Sequence, residues 1–362
     1  MGKESPLLAR YFYPPDLKAG QSGVDCWAMD LTILLLVILS VGAASLPLIA
    51  LLGLLVWMDR YEREPWWMVG LVFLWGATCA VAIALAGSAL LLYPAEALLG
   101  SAAADTLGTV IIAPLIEEPG KAAILLLLIR SVHFDNPTDG FVYGAAAGLG
   151  FGMTENFFYF ANQAAEGEVG AWLLLVFTRT LFSAPMHACA TAIVGMSFGF
   201  AKFRNWPQRS VLLPAGLAAA IALHTLWNGL LVLDGSLGSS GLIAVLDFAL
   251  MAGVFLLMFA AYQFSLWRES KLLTRELGQL AAEGVLPADQ VGPLSSWSSR
   301  TFSTNWLPKG VDRRDYIETA TMLAFRRFQA RARPDKPFYA ANAATLRAKL
   351  IALLGGGPEG SQ

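Results

Sequence analysis

Long apolar stretches separated by short polar connections occupy most of the chain as far as residue 267. Several stretches run for 18 or more residues with almost no charge, and an apolar helix of about 20 residues crosses about 30 Å of hydrocarbon. The pattern predicts seven membrane-spanning helices, at residues 31–58, 66–93, 106–130, 139–163, 170–201, 211–233 and 241–267. The predicted fold is all-α, a polytopic transmembrane helix bundle over residues 31–267 preceded by a non-membrane N-terminal segment, 1–30.

The composition changes at residue 268, after which the chain holds 14 of its 25 lysine and arginine residues. Helical spacing of apolar residues occurs in three places, at Leu272, Leu273, Leu277 and Leu280, around 313–332, and around 343–354. Residues 268–362 are therefore predicted to form a small helical C-terminal segment. The pattern favours a solvated or membrane-leaning appendage over a recognition domain, and it names no activity.

Basic residues are concentrated in alternate connections between the predicted spans. They follow the first, third and fifth spans, as Arg60, Arg63, Arg130, Lys202, Arg204 and Arg209. Because short cytoplasmic loops collect lysine and arginine, these loops and the C-terminal segment are predicted to face the cytoplasm, with the N-terminus outside. The chain is accordingly predicted to be a multi-pass protein of the cell membrane, surrounded by the lipid bilayer.

Composition agrees with a membrane location. Hydrophobic residues make up 56% of the chain and charged residues 14%, against roughly 45–50% and about 25% in soluble domains. The net charge of −2 gives no argument for a nucleic-acid partner. Cys26, Cys79 and Cys189 lack metal-ligand or redox spacing and are interpreted as packing residues. The N-terminus has prolines where a signal peptide has its apolar core, so we expect no removable signal.

Ionisable side chains within the predicted spans are the strongest indication of function, because each costs about 2.5–3.5 kcal/mol on insertion scales. They are Glu117, Glu118, Lys121, Glu155, Arg179, His187 and His224, accompanied by Asn156 and Asn228. With a rise of 1.5 Å per residue, Glu118, Glu155, His187 and His224 lie about 18, 24, 21 and 20 Å from the same membrane surface. Four spans are therefore predicted to bring polar groups to one layer.

Pro119 follows the two glutamates of the third span directly. A proline removes a backbone donor and disfavours helical geometry in the residue before it. We therefore expect a helix break, with Pro119 beginning the second half and both carboxylates near its N-terminus. Lys121, four residues after Glu117, is predicted to pair with it.

The fourth span carries glycines at positions 140, 144, 148 and 152. Small residues four apart predict the close approach of another helix. Phe151 and Glu155 share the neighbouring face, which places Glu155 away from lipid. In the sixth span His224 and Asn228 are one turn apart and can present two polar groups to one point.

Four motifs together resemble the PrsW-type intramembrane proteases, distant relatives of the CAAX prenyl endopeptidases. They are EExxK at Glu117, Glu118 and Lys121, FxxxEN at Phe151, Glu155 and Asn156, the histidine His187, and HxxxN at His224 and Asn228. They occur in the family's order over about residues 105–232. The resemblance does not cover the N-terminal region or the segment after 268.

The resemblance implies hydrolysis of peptide bonds in a membrane-embedded protein or peptide substrate, such as an anti-sigma factor. By analogy with the CAAX relatives, Glu117 or Glu118 would activate the water, helped by Glu155 or His187. His224 and Asn228 would hold the oxyanion, with Lys121, Asn156, Phe151 and Arg179 in support, and no cofactor would be needed. The alternative is a zinc site, with Glu118, Glu155, His187 and His224 as candidate ligands.

Two functions of other classes are also compatible with buried polar groups in a membrane bundle. Midplane carboxylates mark proton-coupled transporters, although the second half of the chain holds no copy of the Pro119 motif. A non-catalytic scaffold would use the same groups for assembly and its C-terminal segment for a partner.

Overall fold

The computed structural model describes residues 26–238 and 241–355, and side chains from residue 31 onward within these ranges. Most of the predicted N-terminal segment lies outside the described residues. The same holds for the expectation that the chain has no removable signal. Residues 26–30 are helical and belong to the first helix, which therefore begins five residues before the predicted start of the first span.

Long helices follow one another along the described chain, and no strand occurs in it. They are α1 (Cys26–Met58), α2 (Trp66–Leu99), α3 (101–128), α4 (Pro137–Ala164), α5 (Val169–Ala201), α6 (Trp206–Leu237) and α7 (Leu242–Ala282). Four shorter helices come after them, α8 (Val291–Ser295), α9 (Trp297–Phe302), α10 (Arg313–Ala332) and α11 (Pro337–Gly355). The helices at the end of the chain match the helical patterns predicted after residue 268.

Five of these helices are long and apolar enough to cross a membrane: α1 from Leu31, α2, α5, α6 and α7. The helices α3 and α4 coincide with the third and fourth predicted spans but are not among the five. More than half of the residues of α4 are buried, and a helix enclosed by other helices needs no apolar face toward lipid. The protein is a helical multi-pass membrane bundle, and the number of seven spans stays a prediction.

The described helices belong to two compact units. The first unit contains the chain up to Val56 and Glu64–Phe259, and it holds α2 to α6. The second contains the connection Trp57–Arg63 together with the chain from Ala260. The domain boundaries predicted at residues 30 and 267 stay predictions.

The second unit has its own apolar core. The end of α7 and the helices after it supply the residues of this core. Among them, the following leucines are buried: Leu273, Leu277, Leu280, Leu294, Leu323 and Leu350. Tyr61, from the connection between α1 and α2, packs against this core, and Glu62 lies 3.7 Å from Arg326 of α10. The connection after the first span and the C-terminal helices therefore pack together within this unit.

Within the described chain, π-helical turns interrupt three of the long helices. They are Gly76–Ala80 in α2, Gly108–Ile112 in α3 and Arg179–Ser183 in α5. A π turn accommodates one extra residue, so side chains beyond it point in a different direction from those of an uninterrupted α-helix. The two turns in α3 and α5 lie next to residues of the predicted site.

The predicted break at Pro119 is wrong. Pro119 lies inside the regular helix Ala113–Leu128, and the irregular turn of α3 comes earlier, at Gly108–Ile112. The φ angle of proline suits a helix, and membrane helices tolerate the lost hydrogen bond where neighbouring groups compensate for it. Glu117 and Glu118 therefore lie in the middle of a helix and not at an N-terminus.

The predicted glycine stripe lies against α5. A Cβ atom on Gly140, Gly144 or Gly148 would overlap a backbone oxygen of α5, while Gly152 has more room. On another face of α4, a Cβ on Gly150 would overlap a backbone oxygen of α2. The helix α4 is thus in backbone contact with two neighbours, which brings its polar side chains close to those of α5.

Candidate active site

The helices α3, α4, α5 and α6 bring the predicted polar side chains into one cluster. Its members are Glu117, Glu118, Lys121, Glu155, His187 and His224. All are buried except Glu155, whose side chain is 20% exposed. The groups predicted to share one layer of the bilayer are therefore in mutual contact.

Glu118 is the most fully hydrogen-bonded member of the cluster. Its Oε1 atom accepts a hydrogen bond from Lys121 Nζ at 2.6 Å and lies 2.8 Å from Nδ1 of His224. Its Oε2 atom accepts from the hydroxyl of Thr191 at 3.4 Å. Because an ionised carboxylate only accepts, Nδ1 of His224 carries a proton. Glu118 thereby orients both a cation and an imidazole.

Lys121 pairs more closely with Glu118 than with its predicted partner. The distance from Nζ to Oε2 of Glu117 is 3.7 Å, against 2.6 Å to Glu118. The ammonium also lies 3.0 Å from Nδ1 of His187 and 4.4 Å from the ring centroid of Phe151. A buried cation therefore sits at the centre of the cluster.

His187 contacts charged groups through both of its ring nitrogens. Nδ1 faces the ammonium of Lys121, which only donates, and Nε2 lies 2.7 Å from Oε2 of Glu155. These partners favour the neutral tautomer with its proton on Nε2. The ring lies 5.3 Å from that of Phe151 and 4.8 Å from that of His224, nearly perpendicular to the latter.

Arg179 lies in the π turn of α5 and contacts two residues of α4, Glu155 and Asn156. Its Nη2 atom lies 2.9 Å from Oε2 of Glu155, and its Nε atom donates to Oδ1 of Asn156 at 2.9 Å. The guanidinium lies 3.7 Å from the ring centroid of Tyr159. The predicted supporting residues Asn156, Phe151 and Arg179 are thus all in contact with the cluster or its immediate partners.

Asn228 forms its described hydrogen bond outside this cluster. Its side-chain amide donates to the backbone oxygen of Thr109 at 2.8 Å, in the π turn of α3. The π turn of α3 brings that carbonyl to α6, so His224 and Asn228 do not converge on one point as predicted.

Sequence reasoning missed two contact residues, Thr191 and Tyr159. Thr191 lies four residues after His187, and Tyr159 lies four residues after Glu155. Residues at this spacing share a helix face. The helical period was therefore the signal that could have identified both.

A small apolar cleft of about 30 Å³ is lined by the two carboxylates Glu117 and Glu155. Its other lining residues are Val81, Ala84 and Leu85 of α2 and Phe151, Phe158 and Tyr159 of α4. Oε2 of Glu117 is buried and has no hydrogen bond within the described part of the chain. An acceptor without a partner at an apolar cleft is costly and indicates a place for a water molecule or an ion.

Three residues could hold a metal ion by their chemistry, although His187 would have to give up its contact with Lys121 or Glu155 to do so. Glu117, His187 and His224 each offer one ligand atom, and these atoms lie within 4.8 Å of one another. Two histidines and one glutamate are a ligand set of catalytic zinc sites. Of the predicted ligands, Glu118 is instead bonded to Lys121 and His224, and Glu155 lies against Arg179 and His187.

Comparison with known sequences identifies the family to which the chain belongs. A family model described as "PrsW family intramembrane metalloprotease" matches residues 64–261, which is more than half of the chain. The chain belongs to the PrsW family. It is therefore an intramembrane peptidase, and the resemblance inferred from the four motifs is confirmed. The match includes the whole cluster and ends before the C-terminal helices.

Curated relatives agree with this assignment. The chain is similar to "Protease PrsW" of Geobacillus kaustophilus, with 32% identity over 193 residues that cover 53% of this chain and 79% of the relative. The proteins of the same name from Bacillus subtilis and Clostridioides difficile are 29% and 28% identical over 194 and 195 residues, each covering 52% of this chain and 79% of the relative. No solved structure matches the chain.

Proposed function

We propose that this membrane peptidase cleaves membrane-embedded protein substrates with Glu117 as the group that takes a proton from the attacking water. The observation that supports this role is the buried Oε2 atom of Glu117, which has no hydrogen bond within the described residues, on a side chain that lines the cleft. A water in the cleft could donate to that atom. General-base assistance of this kind accelerates hydrolysis by about 10²–10⁴.

The neighbours of Glu117 suit the remaining steps. Lys121, 3.7 Å from Oε2 of Glu117, supplies positive charge next to the carbonyl oxygen that becomes an oxyanion. Glu118 holds Lys121 and His224 in place through its two contacts at 2.6 and 2.8 Å. As a neutral imidazole, His224 would receive through Nε2 the proton that Glu117 takes from the water and would deliver it to the leaving amine. Asn228 would have to leave the Thr109 carbonyl to reach the oxyanion.

The cleft suits an apolar stretch of polypeptide. Its walls are aliphatic and aromatic apart from Glu117, Glu155 and the hydroxyl of Tyr159. A substrate helix has its peptide groups bonded internally, so we propose that the cleaved segment enters unwound, with one apolar side chain in the cleft. A regulatory membrane protein such as an anti-sigma factor is a substrate of this kind, as the family resemblance implies.

In the zinc-dependent version of this function, Glu117, His187 and His224 would hold the metal. Zinc bound there would lower the pKa of a coordinated water to about 7. Glu155 lines the same cleft and would be the carboxylate left to accept a proton, with Arg179 keeping it ionised at 2.9 Å. Glu118 would orient His224 through Nδ1 in this version as well.

The test of the carboxylate compares Glu117→Gln with wild type in lipid nanodiscs, using single-span peptides and mass spectrometry of the fragments. Asp105→Asn is a matched control, since it is the same change at an exposed position of the same helix. We expect cleavage by wild type and by the control, and a loss of about 100-fold or more for Glu117→Gln. Equal rates for Glu117→Gln and wild type would contradict the proposal.

The metal question needs a second experiment with the same material. Metal content is measured in wild type and in His224→Ala before and after treatment with a chelator, together with cleavage. Zinc at one equivalent in wild type, lost with His224→Ala, would support the zinc version. Cleavage that survives complete removal of metal would support the version in which Glu117 acts alone.

A further inference from the structure

A group of arginines lies at the end of the first membrane span, outside the residues matched by the family. The arginine cluster consists of Arg60 and Arg63, from the connection Trp57–Arg63, and Arg300 of α9, all in the second compact unit. The guanidinium of Arg60 lies 4.7 Å from the ring centroid of Trp297. That of Arg300 lies 5.7 Å from the ring centroid of Tyr61.

Two of the three guanidinium groups donate hydrogen bonds to backbone oxygens. Arg63 Nε donates to the backbone oxygen of Asp59, and Arg300 Nη2 donates to that of Tyr61, both at 3.2 Å. Among the described residues, no carboxylate forms an ion pair with any of the three arginines. Nη1 of Arg300 is buried without a hydrogen bond to the described chain. Burial and the nearby charge of Arg63 lower the pKa of Arg300 to about 10.

Exposed aromatic side chains stand beside the arginines. Trp57 belongs to the last turn of α1 and lies 6.3 Å from Trp297, which in turn lies 5.4 Å from Phe302 between ring centroids. Trp57 is 57% exposed and Phe302 is 75% exposed. Tryptophan at the end of a span marks the membrane–water interface. Aromatic side chains of this kind beside basic groups are the setting expected for contact with lipid headgroups.

We propose that Arg60, Arg63 and Arg300 bind the phosphate group of an anionic phospholipid in the leaflet where α1 ends. Guanidinium groups suit phosphate because they donate paired hydrogen bonds in a planar fork. The buried Nη1 atom of Arg300 would then gain an acceptor, and Trp57 and Phe302 would contact the glycerol and upper acyl region. Basic groups next to a span attract anionic lipids in general, and here Arg60 contacts Trp297 of the same short helix that carries Arg300, which itself contacts Tyr61 beside Arg60.

The test measures the binding of short-chain phosphatidylglycerol and phosphatidylcholine to the purified full-length protein by native mass spectrometry. The variant Arg60→Gln/Arg300→Gln removes two charges of the cluster. Lys336→Gln/Arg347→Gln removes two charges at exposed positions outside it. We expect wild type and the control to prefer phosphatidylglycerol, and the cluster variant to bind it roughly 20-fold more weakly with phosphatidylcholine unaffected.

Three outcomes would overturn the proposal. These are equal binding of the two lipids by wild type, equal weakening in the control variant, and displacement of the lipid by millimolar glycerol phosphate, which would indicate a site for a free phosphate. Arg60→Gln alone covers the case in which the double variant does not fold, because the side chain of Arg60 makes no hydrogen bond within the described chain. For that variant we expect a loss of about fivefold.

Discussion

Nδ1 of His224 lies 2.8 Å from Oε1 of Glu118, although the two residues are 106 positions apart in the sequence. The same carboxylate accepts a hydrogen bond from Lys121, one helical turn further along α3. Glu117, its neighbour in the chain, has a buried oxygen without any such bond in the described residues. The two adjacent glutamates thus differ in their hydrogen bonds, and their variants should differ in thermal stability.

Glu118→Gln should destabilise the protein, whereas Glu117→Gln should not. Removing one partner of a buried ion pair costs about 3–5 kcal/mol, because Lys121 would keep its charge without the short contact to Glu118. Glu117 accepts no hydrogen bond from the described residues, so its replacement by the neutral amide should leave the unfolding temperature nearly unchanged. Thermal unfolding of both variants in one detergent measures the difference. The assignment of roles is wrong if the two variants unfold at the same lowered temperature.

Gly148→Ala should lower both stability and cleavage. The added Cβ would overlap the backbone oxygen of His187, so α4 and α5 would have to separate and carry His187 away from Glu155. Overpacking of this kind costs about 1–3 kcal/mol. Gly170→Ala on α5 is the control, since nothing lies within 4 Å of a Cβ there. Thermal unfolding and fragment yield are measured on both, and a Gly148→Ala protein as active as Gly170→Ala would show that this contact does not position the site.

Ala84→Phe should reduce cleavage without affecting the polar cluster. Ala84 is buried in the wall of the cleft, and a phenyl ring there would occupy the space proposed for a substrate side chain. We expect kcat/KM to fall by about tenfold or more for substrates with a large apolar residue at the cleavage site, and less for alanine-containing substrates. Ala82→Phe is the control at an exposed position of the same helix. An unchanged preference among substrates would place the entry route elsewhere.

Reporters fused after Gly100 and after Arg204 should be found on opposite sides of the membrane. A third fusion after Gly355 should be on the same side as Arg204, in the cytoplasm, because basic residues follow the first, third and fifth spans. Alkaline phosphatase activity and fluorescence of the fusions distinguish the two sides. Reporters after Gly100 and Arg204 on the same side would refute both the seven spans and the cytoplasmic C-terminus.

Local patterns predicted more of the helices than of the site. The apolar runs at 31–58 and 241–267 correspond to parts of α1 and α7, because hydropathy and length decide whether a segment can cross the bilayer. The helix break expected at Pro119 is wrong. A proline in the sequence indicates that one backbone hydrogen bond is lost, but it does not indicate whether neighbouring helices compensate for that loss. The π turns at Gly108–Ile112 and Arg179–Ser183 left no recognisable pattern.

The sequence by itself determined the helical membrane architecture, the family and the set of polar residues that meet, because period, hydropathy and motif order are properties of the chain taken along its length. Only the tertiary structure decided that Glu118 accepts from Lys121 and His224, that Oε2 of Glu117 has no hydrogen bond within the described residues, and that the amide of Asn228 donates to Thr109. The physical reason is that a hydrogen bond depends on the direction of each side chain within about an ångström. That direction follows from close glycine contacts and from extra residues in π turns, which spacing along the chain does not describe.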